Sequence, residues 1–385
     1  MHIEDSVDGL VAKGSTNIAA GLQTGLQVLK DRRQKMGRAV AIMLMSDSQA
    51  DPGKDATNIA VGKVLSVIAG KSPGGTFSDV GNPDGMTIAF SQCLAGLLTV
   101  AVRDLKLTVT KRDSEGIKIL SPLGYPQSEN KTKGSITISF GDLYIKEVRL
   151  ITVELLLSAA VLGEETEVLR YSYSYSTGGV KSSKTQPRAV KIPRIGTSVE
   201  TPERVDVMME EKRVQIAQMI KEASVMADEE KLEEARNKLD EAINSLTDEV
   251  HESYPLIAML IDEVQSLLGK MGSIEDYIKE GCSFALSSAS SHDRQRFTAR
   301  GTFGANSDPE KLRFFATPRM DKYLEQAQSF DQDSETPLPT ADEDVKEELA
   351  ADPLAPVAEA LSFNIQSAIQ SLQAIDDRVN ITNED

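Results

Sequence analysis

Ala39-Val40-Ala41-Ile42-Met43-Leu44-Met45-Ser46-Asp47 is an unbroken apolar run that closes on a polar pair. A run with no polar face to turn toward water predicts a strand buried on both sides, the habit of parallel sheets, with Asp47 at its carboxyl end. Upstream, Gly14-Ser15-Thr16-Asn17 precedes Ile18, Leu22, Leu26 and Leu29, whose spacing makes one stripe of an amphipathic helix. A helix followed by a buried strand is half of an α/β unit. Downstream, helical spacing returns over residues 61–68, Gly74-Gly75 mark a turn, and residues 90–102 read as a further buried helix. Residues 1–102 therefore form a first, α/β region.

Beyond it the period changes to two. Leu105, Leu107 and Val109 alternate with Lys106, Thr108 and Thr110, and the pattern repeats at Ile136, Ile138 and Phe140. Ile151, Val153, Leu155 and Leu157 follow, then Leu169, Tyr171, Tyr173 and Tyr175. These are half-buried strands, and residues 103–200 are expected to form an antiparallel β domain of sandwich type. Residues 177–194 show no such alternation and carry Lys181, Lys184, Arg188, Lys191 and Arg194, so they read as a basic loop. Such a run could dock an acidic partner, although a solvated loop is its commoner meaning.

From residue 201 three helical stripes follow. They are Val205, Met209, Ile216, Ile220 and Ala223, then Leu232, Ala235, Leu239, Ala242 and Leu246, then Leu256, Leu260, Val264, Leu267 and Met271. Each stripe must bury its face, so residues 201–300 predict an antiparallel helical bundle. Residues 301–385 comprise an irregular segment, an acidic linker over 331–352 and a final helix faced by Val357, Leu361, Ile365 and Leu372. The fold class expected is α+β and multidomain.

Composition narrows the partners. The 385 residues carry 42 Lys and Arg against 59 Asp and Glu, and the net charge of −17 repels nucleic acid and anionic membranes. Cys93 and Cys282 stand too far apart to suggest a zinc site or a disulfide framework. The acidic start, without an apolar signal core, and the shortness of the apolar stretches predict a cytoplasmic protein.

Oxygen ligands at the carboxyl edge of a buried strand suit Mg²⁺, so Thr16 and Asp47 form a candidate metal pair. A helix cap and a turn residue are the commoner roles for such positions. Gly70-Lys71-Ser72 mimics the end of a phosphate loop, but Leu65 occupies the position where that loop needs glycine. His292-Asp293 has the look of a catalytic pair with no nucleophile motif to serve it.

Four segments, Gly14-Ser15-Thr16-Asn17-Ile18, Leu44-Met45-Ser46-Asp47-Ser48-Gln49, Gly74-Gly75-Thr76-Phe77-Ser78 and Gln92-Cys93-Leu94-Ala95-Gly96-Leu97-Leu98, resemble in order and spacing the later part of a plant von Willebrand A domain. Gly141-Asp142-Leu143-Tyr144, Ser291-His292-Asp293-Arg294-Gln295-Arg296-Phe297 and Phe315-Ala316-Thr317-Pro318-Arg319-Met320-Asp321 resemble the remainder of those proteins. The resemblance implies a Rossmann-like α/β domain with a metal-ion-dependent adhesion site, and it places Thr16 and Asp47 in two of that site's roles. The Asp-x-Ser-x-Ser element is absent, and Ser48 stands where glycine is usual. The strand before Gly74 is missing as well. The implied site is degenerate, and Mg²⁺ is expected only if other residues, such as Asp5 or Asp8, supply the missing ligands. Some plant relatives carry a RING zinc finger that makes them ubiquitin ligases, which two distant cysteines cannot build. The chain thus reads as a RING-less, N-terminally truncated relative.

The function expected is non-catalytic binding of a protein partner, with no cofactor. The alternatives are the substrate-binding part of a ubiquitin ligase whose RING lies on another chain, and a truncated product without a function of its own.

Overall fold

The computed structural model describes residues 9, 11, 17–32, 40–46, 55–81, 83–112, 114–119, 124–159, 161, 163–176, 182–194, 205–247, 254–301 and 315–333. Thr16, Asp47, most of the acidic linker and the final helix expected beyond it lie outside these residues. Residues Met1–Ala327 form one compact unit and Gln328–Asp385 a second.

The first unit opens with three helices, α1 (Ile18–Asp31), α2 (Asp55–Lys71) and α3 (Pro83–Leu98). Asn17 starts α1 by accepting the Ala20 backbone N–H through its side chain at 2.9 Å, which satisfies one of the donors that a helix start leaves unpaired. Over residues 40–46, the described part of the parallel strand expected at 39–47, no strand is formed. Residues 40–46 carry no ladder, and Val40, Ile42 and Met45 are 39%, 37% and 67% exposed. A strand buried on both faces needs neighbours on both edges, and the parallel contact among the described residues is an isolated Asp79–Arg300 bridge. Helix α3 also ends sooner than the apolar pattern suggests. The Thr99 hydroxyl donates to the Ala95 carbonyl at 2.8 Å, and the chain turns into a strand at Val100.

The strands are β1 (Val100–Lys111), β2 (Ser114–Ile119), β3 (Gln127–Asn130), β4 (Ser135–Tyr144), β5 (Val153–Leu157), β6 (Glu165–Ser176), β7 (Ser183–Lys184) and β8 (Arg188–Pro193). One sheet runs β3-β4-β1-β6-β7 with β8 also on β6, and β2 pairs with β5 in a second. Leu107 sits opposite Ile138 and Tyr173 in antiparallel register, so the alternating apolar residues of three strands share one face. Ile117, Val153 and Leu155 of the small sheet pack against that face. Two antiparallel layers result, and the fold is mixed α+β with mostly antiparallel sheet. Part of the expected basic loop is strand, because Arg188–Pro193 pairs with β6. Its burial pattern shows no covered face, so apolar alternation had nothing to mark.

The helices that follow are α4 (Val205–Asp228), α5 (Leu232–Asn244), α6 (Pro255–Gly269), the short α7 (Ile274–Asp276), a π turn (Tyr277–Gly281), α8 (Cys282–Arg294) and, after the 302–314 gap in the described residues, α9 (Pro318–Gln332). Helix α4 packs on α5, α6 and α8, and α2 packs on α8. The predicted stripes meet in one core, where Ile216, Ile220, Leu239, Leu260, Val264 and Leu267 are wholly buried. Contacts also cross the boundaries expected at residues 102 and 200. The Tyr125 hydroxyl donates to the Arg294 carbonyl at 2.6 Å, and Gln92 on α3 donates to the Met320 carbonyl on α9 at 2.7 Å.

Candidate functional site

Arg296 follows α8 and is 4% exposed. Helix α8 ends in Gln295, whose left-handed backbone (φ 46°) turns the chain, while the Arg296 N–H reaches back to the Ser291 carbonyl at 3.1 Å. Arg296 then gathers residues distant in sequence. Its Nη1 donates to the Gly74 carbonyl at 2.7 Å and its Nη2 to the Asp142 carbonyl at 2.8 Å. Its Nε and Nη2 hold the Glu147 carboxylate at 2.7 and 3.0 Å. The guanidinium also lies 3.8 Å from the centre of the Tyr144 ring, a cation–π contact. A Cβ at Gly96 would run into that ring, so only glycine lets α3 approach so closely.

The four segments joined there, around Gly74, Gly96, Tyr144 and Arg296, are among those singled out from the sequence. Around them the Asp79 N–H donates to the Ala299 carbonyl at 3.0 Å and the Asp79 carbonyl accepts the Gly301 N–H at 2.7 Å, and the Ser290 hydroxyl accepts the Phe77 N–H at 2.8 Å. Gln295 adds a reciprocal amide pair to Leu150, accepting its N–H at 2.7 Å and donating to its carbonyl at 2.8 Å. Burial pushes the Glu147 carboxyl up, but Arg296 and Arg149 outweigh it and hold it below its ordinary value.

A second polar chain crosses the helices. Arg213 binds Glu210 through two bonds of 2.8 and 2.7 Å, and its Nη1 donates to the His292 carbonyl at 3.0 Å. The same Nη1 lies 3.3 Å from His292 Nδ1. A guanidinium cannot accept, so Nδ1 is the lone-pair nitrogen and Nε2 carries the proton. That proton goes to Glu263 Oε2 at 2.8 Å. Glu263 Oε1 pairs with Arg300 at 2.6 Å and accepts the Ser288 hydroxyl. Two carboxylates, two guanidinium groups and a neutral imidazole balance in charge. Burial pushes the Glu263 carboxyl up, but Arg300 and His292 overcome it and bring it to about 2. Burial also lowers His292, although Glu263 opposes the shift.

His292 and Asp293, adjacent in sequence, do not act as a pair, because Asp293 binds Lys221 instead. Ser288 donates to Glu263 rather than to His292, so the hydroxyl is not activated by the imidazole. Glu263, Ser288 and His292 are at most 1% exposed, and the arrangement locks α4, α6 and α8 together. Gly70 lies at the C-terminal end of α2, where its carbonyl accepts Arg294 Nη2 at 2.5 Å, so Gly70-Lys71-Ser72 is not a phosphate cradle. Cys93 and Cys282 are free. Among the described residues no group of three or more His, Cys, Asp or Glu could hold a metal ion, and no helix is long and apolar enough to cross a membrane. The metal pair Thr16 and Asp47 lies outside them.

Sequence reasoning missed both ion networks. Their members are separated by up to 149 positions in the Glu147–Arg296 pair, and each charge alone reads as solvated. The clustering of His292, Arg294, Arg296 and Arg300 at and just beyond the end of a serine-rich helix was the one local signal.

Residues 240–329 match a family described as "VWA / Hh protein intein-like", a stretch that carries Glu263, His292, Arg296 and Arg300. The chain is 28% identical over 162 residues to "E3 ubiquitin-protein ligase WAV3" of Arabidopsis thaliana, covering 39% of this chain and 21% of that protein. It thus spans about a fifth of the length of the curated relative it matches. Among solved structures, "von Willebrand factor type A from Catenulispora acidiphila" aligns with a TM-score of 0.47 at 14% identity, over 69% of this chain and 66% of that one. The "ArnB paralog VWA2 from Sulfolobus acidocaldarius" aligns with a TM-score of 0.30 at 16% identity, over 56% and 48%. Scores below 0.5 carry no argument about the fold. In sequence, the chain is similar over residues 240–329 to a VWA-associated family and, more distantly, to the ubiquitin ligase WAV3.

Proposed function

We propose that this chain is a non-catalytic protein-interaction module whose adhesion-type metal site is degenerate. The observation that carries the reading is the outer face of α3. Met86, Phe90, Leu94 and Leu98, four residues apart, are 47%, 45%, 37% and 63% exposed, while Gln92, Ala95 and Gly96 on the same helix are buried. A row of large apolar side chains in water is costly, and such rows mark surfaces that a partner covers. The Arg296 cluster fixes α3 from behind through Tyr144 and Gly96, so the row stands on a rigid support.

Purified partner, once identified by cross-linking, should bind a Phe90→Glu/Leu94→Glu double variant at least tenfold more weakly, with the melting temperature unchanged within a few degrees. Binding should survive chelation of divalent ions. Equal binding by wild type and variant sinks the interaction reading at this face, and loss of binding in chelator sinks the degenerate-site part of it. A second reading, the substrate-binding part of a ubiquitin ligase whose RING lies on another chain, draws support from the likeness to WAV3. Ubiquitin transfer that co-purifies with the chain favours it over simple docking.

A further inference from the structure

The two β layers do not close on each other completely. Between them lies a cavity of about 380 Å³, partly open to solvent, whose lining includes Leu107, Val109, Phe140, Val153 and Leu169. Small-ligand sites of this sort run from about 300 to 1,000 Å³ and combine apolar walls with a few placed polar groups. Among the lining residues Arg149 is the charged one, and its side chain is 5% exposed. Tyr171 and Tyr173 also line the cavity, set edge to face with ring centres 5.8 Å apart.

Arg149 is not fully used by the protein. Its Nη1 donates to the Val148 and Gln295 carbonyls at 2.9 and 3.0 Å, and its Nη2 lies 2.6 Å from Glu147 Oε1. Its Nε is buried with no hydrogen-bond acceptor among the described residues. The partner carboxylate is shared. Glu147 also neutralises Arg296 through two bonds, so two guanidinium groups face one carboxylate and one positive charge is left over. A buried donor without an acceptor is costly, more so when charged, and an incoming anion would remove that cost.

We propose that this cleft binds a small amphiphilic carboxylate, an aliphatic or aryl-aliphatic acid whose apolar body lies between the sheets and whose carboxylate meets Arg149. The site is separate from the α3 face and stands independently of the interaction reading. Charge-assisted pairing with a guanidinium fixes the polar end, and the low volume limits the body to a short chain.

Calorimetric titration of the full chain with octanoate, against octan-1-ol as the neutral probe, tests it. Octanoate should bind one to one and at least tenfold more tightly than octan-1-ol. Arg149→Met should erase that preference, and Arg149→Lys should keep part of it. Val153→Phe, which fills the apolar space and spares the ion pairs, should weaken both probes; circular dichroism checks that each variant keeps its fold. No octanoate binding, equal affinity for acid and alcohol in the wild type, or undiminished binding in Val153→Phe overturns the proposal. Binding of an apolar peptide with no binding of octanoate overturns it too, and assigns the cleft to a protein side chain instead.

Discussion

Along α5, Ala235, Leu239 and Ala242, with Leu246 just beyond the helix, are wholly buried. Along α1, Ile18, Leu22, Leu26 and Leu29 have closely similar spacing, yet no residue of that helix is buried and Leu26 is 54% exposed. The two helices are alike in pattern and opposite in outcome. Helical spacing states that a face should be covered, but it does not state by what. For α5 the cover comes from α4 and α6. For α1 the Ile42 side chain beside Gly25 gives partial cover, and Met86, Phe90, Leu94 and Leu98 on α3 stay exposed. The helical region is therefore expected to dominate stability, and the first three helices to govern what the molecule touches.

The hardest test of that contrast is Glu263→Ala. It leaves Arg300 without its carboxylate and His292 without its acceptor, and breaking a buried pair on one side costs about 3–5 kcal/mol. Denaturant unfolding should show that loss. A loss below about 1 kcal/mol would mean that the ionic chain does not hold the bundle.

Acid sharpens the same comparison. Glu263 stands at about 2 when folded against its ordinary 4.5, so below 4.5 the unfolded chain takes up the proton first. Its stabilisation is complete above 4.5 and fades as pH falls toward about 2, amounting to roughly 3 kcal/mol. His292 is held below its ordinary 6.5, so its contribution is complete above 6.5 and starts to fall beneath it. Stability measured at pH 7.5, 5.5 and 4.0 should decrease stepwise, and His292→Gln should flatten the first step. A flat profile in the wild type would contradict the buried neutral imidazole.

The smallest stability effect is expected at the exposed face. Phe90→Ser should change stability by no more than about 0.5 kcal/mol, the usual range for surface positions. A large loss would show that α3 is covered in solution and would move it into the same class as α5.

What was legible in the sequence follows this division. The stripes of α4, α5 and α6 and the alternation at Leu105, Leu107 and Val109 are local signals, and the elements they predict are present. The run at residues 39–47 misled because strand propensity is realised only when neighbouring strands exist to pair. The ion networks were invisible because pairing across long separations leaves no periodic trace. Of the candidate site, the segments around Gly74, Gly96, Tyr144 and Arg296 were noticed, but nothing in their spacing indicated that they would meet at the Arg296 guanidinium.

The π turn between α7 and α8 acts on phase. Each residue of an α-helix advances the side-chain direction by about 100°, and a π turn carries one residue more per turn than the α ladder does. Tyr277–Gly281 thus sets the angular position at which α8 starts, and with it the direction in which Ser288 and His292 point. Removing one residue from this turn would rotate the helix face by about that angle, turning the imidazole away from Glu263 while every side chain of the network remained in the sequence.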